Sequence, residues 1–157
     1  MKLYCIRHGV AESSVLDNKR HLTGIGRDNI HLMGKFLAAQ KISIDQLLHS
    51  PKLRAQETAE ILMPYVRPHT MHATAALNHE ACVNTLADYV NQWKKPTLLV
   101  THMPLIASLI NLLLFKDRLW PCIEFHPGTM ACLHRQRNEW SIDWVISPDD
   151  LDFLYNL

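Results

Sequence analysis

Arg7-His8-Gly9, Arg20, Arg54 and His102 are residues whose types and settings can do chemistry together. Three guanidinium groups and two imidazoles, with no carboxylate among them, describe an anion pocket. Arginine's planar fork offers paired N–H donors that suit a phosphoryl group. Cations beside an imidazole disfavour its protonated form, so one histidine keeps a lone pair and can attack phosphorus. The product would be a covalent phosphohistidine that water then hydrolyses. The same cations would stabilise charge on the transferring phosphoryl oxygens.

Those side chains must be carried to one place, and the patterning indicates how. Leu3 to Ile6 is an apolar strand that ends in Arg7-His8-Gly9, with Gly9 letting the backbone turn and approach a ligand. Residues 10–22 are polar and without a period, which predicts a loop. Thr23 is a plausible N-cap for a helix over Ile25 to Gln40, in which Leu32, Met33, Phe36 and Leu37 fall at helical spacing. Ile44 to Leu48 predicts a second strand ending in His49-Ser50-Pro51, and a helix over Lys52 to Met63 that Pro64 stops. Arg54, one turn into that helix, can point back to the strand end.

Thr70 to Ala73 reads as an edge strand. Glu80 to Trp93 reads as a helix with Val83, Leu86, Ala87 and Val90 on one face. Thr97 to Val100 is a strand running into Thr101-His102-Met103-Pro104 and a helix to Phe115. Helix N-termini near Ser50 and Pro104 would add backbone donors for an anion. Gly128 to Arg135 and Trp140 to Ile146 alternate as an antiparallel hairpin around Asn138-Glu139, and Ser147 to Leu157 is a candidate for a short last helix with an acidic start. The expected architecture is therefore α/β, a three-layer α/β/α arrangement. Its central sheet is mixed but mostly parallel, with a C-terminal antiparallel hairpin. Three parallel strands would bring their polar ends to one sheet edge, where such sheets bind ligands.

Length predicts a single domain over residues 1–157. A formal charge of +1 gives no electrostatic case for nucleic-acid or membrane partners. Cys5, Cys82, Cys122 and Cys132 have no C-x-x-C spacing and read as buried thiols of a reducing compartment. The first strand reaches Arg7 before an apolar signal segment can form, and Leu105 to Phe115 is too short to span a bilayer, so a cytoplasmic location is expected. His21, His31, His49, His69, His72, His126 and His134 read as surface or half-buried, with no metal-ligand spacing. The Trp and Leu positions of residues 105–120 read as core.

Three blocks carry a resemblance. Arg7-His8-Gly9, then Ser50-Pro51-x-x-Arg54-Ala55-x-x-Thr58, then Thr101-His102-x-Pro104 resemble the histidine phosphatase superfamily, most of all its small SixA-type phosphohistidine phosphatase branch. Arg20-x-Leu22-Thr23-x-x-Gly26 fits the same branch, and Trp144 to Leu151 is similar to its last strand and Ser-Pro segment. The resemblance implies a phosphoglycerate mutase-like fold with no metal or organic cofactor. It implies that His8 takes the phosphoryl group. Arg7, Arg20 and Arg54 would bind its oxygens, and His102 would contact them and stabilise the transition state.

The sequence departs from the family at Val10, where the branch often has an acid; Glu12 is a candidate to compensate. It departs again at Leu77-Asn78-His79-Glu80, where larger members carry a carboxylic general acid. Glu80 or His79 is a candidate for that acid, and Glu80 also reads as a first-turn acid favoured by the helix dipole. A phosphohistidine substrate needs such a donor least, because imidazole, with a reference pKa of about 6.5, leaves more readily than an alkoxide. The expected function is therefore hydrolysis of phosphohistidine on a signalling or phosphocarrier protein, such as a histidine phosphotransfer domain. The alternatives are a phosphatase of small phosphate esters and a catalytically silent phosphoprotein-binding module.

Overall fold

The computed structural model describes residues 1–13, 16–116 and 123–155. Cys122, residues 117–120 of the expected core and the last two residues of the expected C-terminal helix lie outside them. In chain order the elements are β1 (Lys2–Arg7), α1 (Gly24–Ala39), β2 (Gln46–His49), α2 (Leu53–Val66), β3 (Thr70–Ala73), α3 (Val83–Gln92), β4 (Thr97–Thr101), α4 (Leu105–Phe115), β5 (Met130–Gln136), β6 (Glu139–Ile146) and α5 (Pro148–Tyr155). Two 3-10 turns, Asp17–Lys19 and Ala75–Leu77, interrupt the connections.

The strands form one sheet in the order β3-β2-β4-β1-β5-β6. β3, β2, β4 and β1 pair in parallel, whereas β5 runs antiparallel to both β1 and β6. Strand side chains alternate between faces, and the core divides accordingly. Leu3, Cys5, Leu99, Ala131 and Leu133 pack with Leu86, Val90, Ile106 and Leu109 of α3 and α4. Tyr4, Ile6, Leu98, Val100, Met130 and Cys132 pack with Ile30, Met33, Ala59 and Leu62 of α1 and α2, and with Leu151 of α5. The result is the three-layer α/β/α architecture that the strand and helix patterning implies. Among the described residues, no helix is long and apolar enough to cross a membrane.

Local chemistry accounts for most boundaries. Thr23 caps α1, its hydroxyl accepting the Gly26 N–H at 3.0 Å, while its own N–H donates to the Val10 carbonyl at 2.9 Å. A side chain at Gly26 would overlap that carbonyl, so the loop after β1 lies directly on the first turn of α1. Gly26→Ala is expected to destabilise the protein by about 2–3 kcal/mol through overpacking, read as a lower thermal unfolding midpoint. The β5–β6 turn places Arg137 and Asn138 at φ of 51° and 66°. Two left-handed residues in succession match the twist of a two-residue hairpin loop.

Several sequence expectations need correction. Pro64 does not stop α2, which runs to Val66. Proline removes only the hydrogen bond to the carbonyl of exposed Glu60. Buried Leu62 and Val66 hold the last turn in the core, and left-handed Arg67 closes it with an N–H bond to Met63 at 2.8 Å. The polar loop over residues 10–22 contains the 3-10 turn at Asp17–Lys19. α3 begins at Val83, not Glu80, because the preceding segment is tied to the sheet: the Thr101 hydroxyl donates to the Leu77 carbonyl at 2.7 Å, and the Ser50 hydroxyl donates to Asn78 Oδ1 at 2.8 Å. Cys5 and Cys132 are buried thiols, but Cys82, at the N-cap of α3, is exposed. His49 is buried at the end of β2, with its Nδ1 2.9 Å from the Ser50 carbonyl.

Candidate active site

β1 and β4 are in register with Arg7 opposite Thr101, and β2 ends with His49 opposite Val100. The three polar strand ends therefore lie side by side. The His8 N–H donates to the Thr101 carbonyl at 3.1 Å, carrying the β1–β4 ladder one residue past the strand and fixing His8 beside His102. The two rings are 5.0 Å apart between centroids. The Gly9 N–H donates to Thr58 Oγ1 at 3.1 Å, and that hydroxyl donates to the Arg54 carbonyl at 2.7 Å. One threonine of α2 thus links the His8 loop to the turn that carries Arg54. Gly9 is needed here for close packing: a Cβ would press on the Gly26 carbonyl and on Ile30.

A pocket of about 260 Å³ opens at this edge, lined by Arg7, His8, Asp17, Arg20, Arg54, His79, His102 and Met103. It brings together Arg7, His8, Arg20, Arg54 and His102, as the sequence pattern requires. Glu80 is not among the lining residues; its side chain is 84% exposed, with Oε1 3.3 Å from His79 Nε2. Glu12 is not among the lining residues either; its carbonyl accepts from Arg20 Nε at 2.6 Å and its N–H donates to the His21 carbonyl at 2.8 Å.

Hydrogen bonding fixes the His8 tautomer. Nδ1 lies 2.8 Å from the Gly9 carbonyl, which can only accept, so Nδ1 carries the proton. Nε2 then presents a lone pair, and Arg54 Nε–H donates to it at 3.1 Å. Burial, and then the charges of Arg54, Arg7 and Arg20, push the His8 pKa from 6.5 down to about 4, outweighing the Gly9 carbonyl. Burial, followed by His8 and Arg54, lowers His102 to about 3. Both imidazoles are neutral at pH 7. Among the described residues, both His102 ring nitrogens and Arg7 Nε are buried without a hydrogen-bond partner, while Arg7 Nη1 donates to the Phe125 carbonyl at 2.6 Å.

These values carry a stability consequence. Between pH 6.5 and pH 4 the unfolded chain protonates His8 and the folded chain does not, so stability falls as pH drops through that window. The contribution is about 3 kcal/mol for His8, and His102 acts in the same direction. Urea unfolding midpoints should fall from pH 7 to pH 4.5, and His8→Asn should flatten that dependence.

Three residues at or beside the site are not among the candidates the sequence offers. Asp17 puts a carboxylate among the cations: Oδ1 lies 3.0 Å from Arg54 Nη2 and 3.6 Å from Arg20 Nη1, and Oδ2 pairs with Lys52 Nζ. The picture of a carboxylate-free pocket is therefore corrected. Lys52 comes with Asp17. Glu57, buried in α2, accepts the Leu22 N–H at 2.7 Å and bonds His21 at 2.9 Å and Arg27 at 2.5 Å. Burial raises its pKa, but these donors outweigh it and hold the group below the usual carboxylate range. Glu57 thereby anchors the segment that delivers Arg20. Its place three residues after Arg54 was the available signal. Among the described residues, no group of three or more His, Cys, Asp and Glu side chains could hold a metal ion.

Such an arrangement can bind a tetrahedral anion, neutralise it, and set a neutral imidazole nitrogen against it. Comparison with known proteins points the same way. Residues 3–81 match the family model described as histidine phosphatase superfamily (branch 1). Phosphohistidine phosphatase SixA of Escherichia coli (strain K12) is 30% identical over 116 residues, covering 70% of this chain and 72% of the relative. A SixA homolog of Haemophilus influenzae is 29% identical over 146 residues, covering 85% and 87%. The structure of the protein histidine phosphatase SixA complexed with tungstate superposes with a TM-score of 0.87 at 26% identity, covering 96% of this chain and 99% of that one.

Proposed function

The chain belongs to the histidine phosphatase superfamily (branch 1), and from that premise we propose that it hydrolyses phosphohistidine on a protein through a covalent phospho-His8 intermediate. The observation that carries the reading is the fixed tautomer of His8. Its Nδ1–H is held by the Gly9 carbonyl, so the Nε2 lone pair stands among Arg7, Arg54 and His102.

His8 Nε2 attacks phosphorus in line. As the Nε2–P bond forms, the bond from phosphorus to the substrate imidazole breaks, and its electron pair stays on the departing nitrogen. Arg7, Arg20 and Arg54 bind the equatorial phosphoryl oxygens, and His102 adds a donor where their charge develops. Water then attacks phospho-His8, and the electron pair of the breaking P–Nε2 bond returns to His8. Phosphate leaves.

A protein substrate suits the shape of the site. From Pro64 to Asn78, the described chain supplies only the end of α2, the edge strand β3 and the turn Ala75–Leu77. A phosphohistidine side chain on a domain surface can therefore approach the pocket directly, and a histidine phosphotransfer domain is the kind of partner this reading names. Labelled phosphate on such a domain should be released by the wild-type enzyme, with label passing through the enzyme. A sugar phosphate and an aryl phosphate serve as comparators and should turn over more slowly.

A second reading draws on His79, which lines the pocket with the Glu80 carboxylate behind it. A proton supplied there would suit an alkoxide leaving group, and the substrate would be a small phosphate ester. This reading requires sugar phosphate to be the preferred substrate and Glu80→Gln to lower its turnover.

A further inference from the structure

The pocket carries an anion of its own. Asp17 opens the turn Asp17–Lys19, and its carboxylate meets Arg54, Arg20 and Lys52 while its main-chain carbonyl accepts from Arg54 Nη1 at 2.7 Å. Two of these cations, Arg54 and Arg20, are among those assigned above to phosphoryl oxygens. The Asp17 side chain is 48% exposed, so it stands at the mouth and not in the core. Hydrogen bonding to Lys52, and then the charge of Arg54, pull its pKa down to about 2, outweighing its partial burial. It is therefore a full negative charge at neutral pH and has no proton to give.

A carboxylate offers two acceptor oxygens and one charge. A phosphoryl group offers three oxygens and nearly two charges, so both suit the same guanidinium donors, and a phosphoryl oxygen drawn to Arg54 Nη2 meets the Asp17 carboxylate already 3.0 Å from that nitrogen. We propose that Asp17 is an internal competitor for the phosphoryl site, exchanging with the phosphoryl group on Arg54 and Arg20, and that it sets specificity against free phosphate.

The inference rests on the reading of the pocket as a phosphoryl site. A free anion must displace Asp17 with its own contacts alone. A phosphoryl group borne on a docked protein brings the binding energy of the remaining surface, which can be spent on that displacement. The same exchange favours product departure, because the Asp17 carboxylate is tethered beside the cations that phosphate must release.

The test is calorimetric titration of inorganic phosphate into wild type and Asp17→Asn, at neutral pH and fixed ionic strength. Loss of the competing charge should tighten phosphate binding by about tenfold, and phosphate should become a correspondingly stronger product inhibitor. Asp17→Ser provides the same readout where the asparagine variant does not fold. Equal or weaker phosphate binding by the variant, with wild type binding measurably, would overturn the inference and leave Asp17 as a residue that only orients Arg54. Absence of binding to either protein would instead remove the phosphoryl-site reading itself, and this inference with it.

Discussion

Alanine at position 8 is expected to lower turnover of a phosphohistidine protein by at least about 10⁴-fold, because in the proposed mechanism His8 is the covalent nucleophile, whose removal eliminates the reaction path and not merely one contact. The loss should fall on kcat. Arg7, Arg20 and Arg54 remain, so inorganic phosphate should still bind, and no label should appear on the enzyme during turnover. His8→Asn should behave alike, since an amide nitrogen has no basic lone pair. Steady-state phosphate release, together with acid-quenched labelling of the enzyme, makes the measurement. Turnover within tenfold of wild type would remove His8 from the reaction.

The second large effect is expected at Arg54. Its Nε–H holds the His8 lone pair at 3.1 Å, and its Nη groups reach toward Asp17. One planar group thus addresses both the proposed nucleophile and the proposed position of the phosphoryl group. Arg54→Lys keeps the charge but loses the fork, and should lower kcat by about 10²- to 10³-fold, the range seen when one preorganised transition-state donor is removed. Arg20→Lys should cost less. Arg20 sits at the rim, with its side chain 30% exposed and its Nε committed to the Glu12 carbonyl. Kinetics of the two variants side by side rank the arginines, and an equal loss at both positions would contradict this ordering.

The parts of the fold that were legible are those with short-range causes. Apolar runs such as Leu3 to Ile6 and Thr97 to Val100 are followed at once by polar groups and helix starts, so strand ends, crossovers and the convergence of Arg7, His8, Arg54 and His102 all follow from local pattern. Thr23 as a cap is equally local. Asp17 was not legible. It lies in a polar segment without periodicity, and its partners Lys52 and Arg54 are 35 or more positions away in the chain. The helical extension past Pro64 also depends on distant packing, of Leu62 and Val66 against the core. The start of α3 is set by Thr101 and Ser50 bonding to the preceding segment, so Glu80 could not be placed from its neighbours alone. His49 was misjudged because its burial comes from the position of β2 inside the sheet, between β3 and β4.

The direction of β5 has a practical consequence. Met130 pairs with Ile6 near the pocket, and His134 pairs with Lys2 at the other end of the sheet. The hairpin tip at Arg137 and Asn138 therefore projects from the end of the sheet opposite the pocket. An affinity peptide or dye grafted there would tether the enzyme to a sensor surface with its pocket facing the solution, leaving the proposed protein substrate room to arrive.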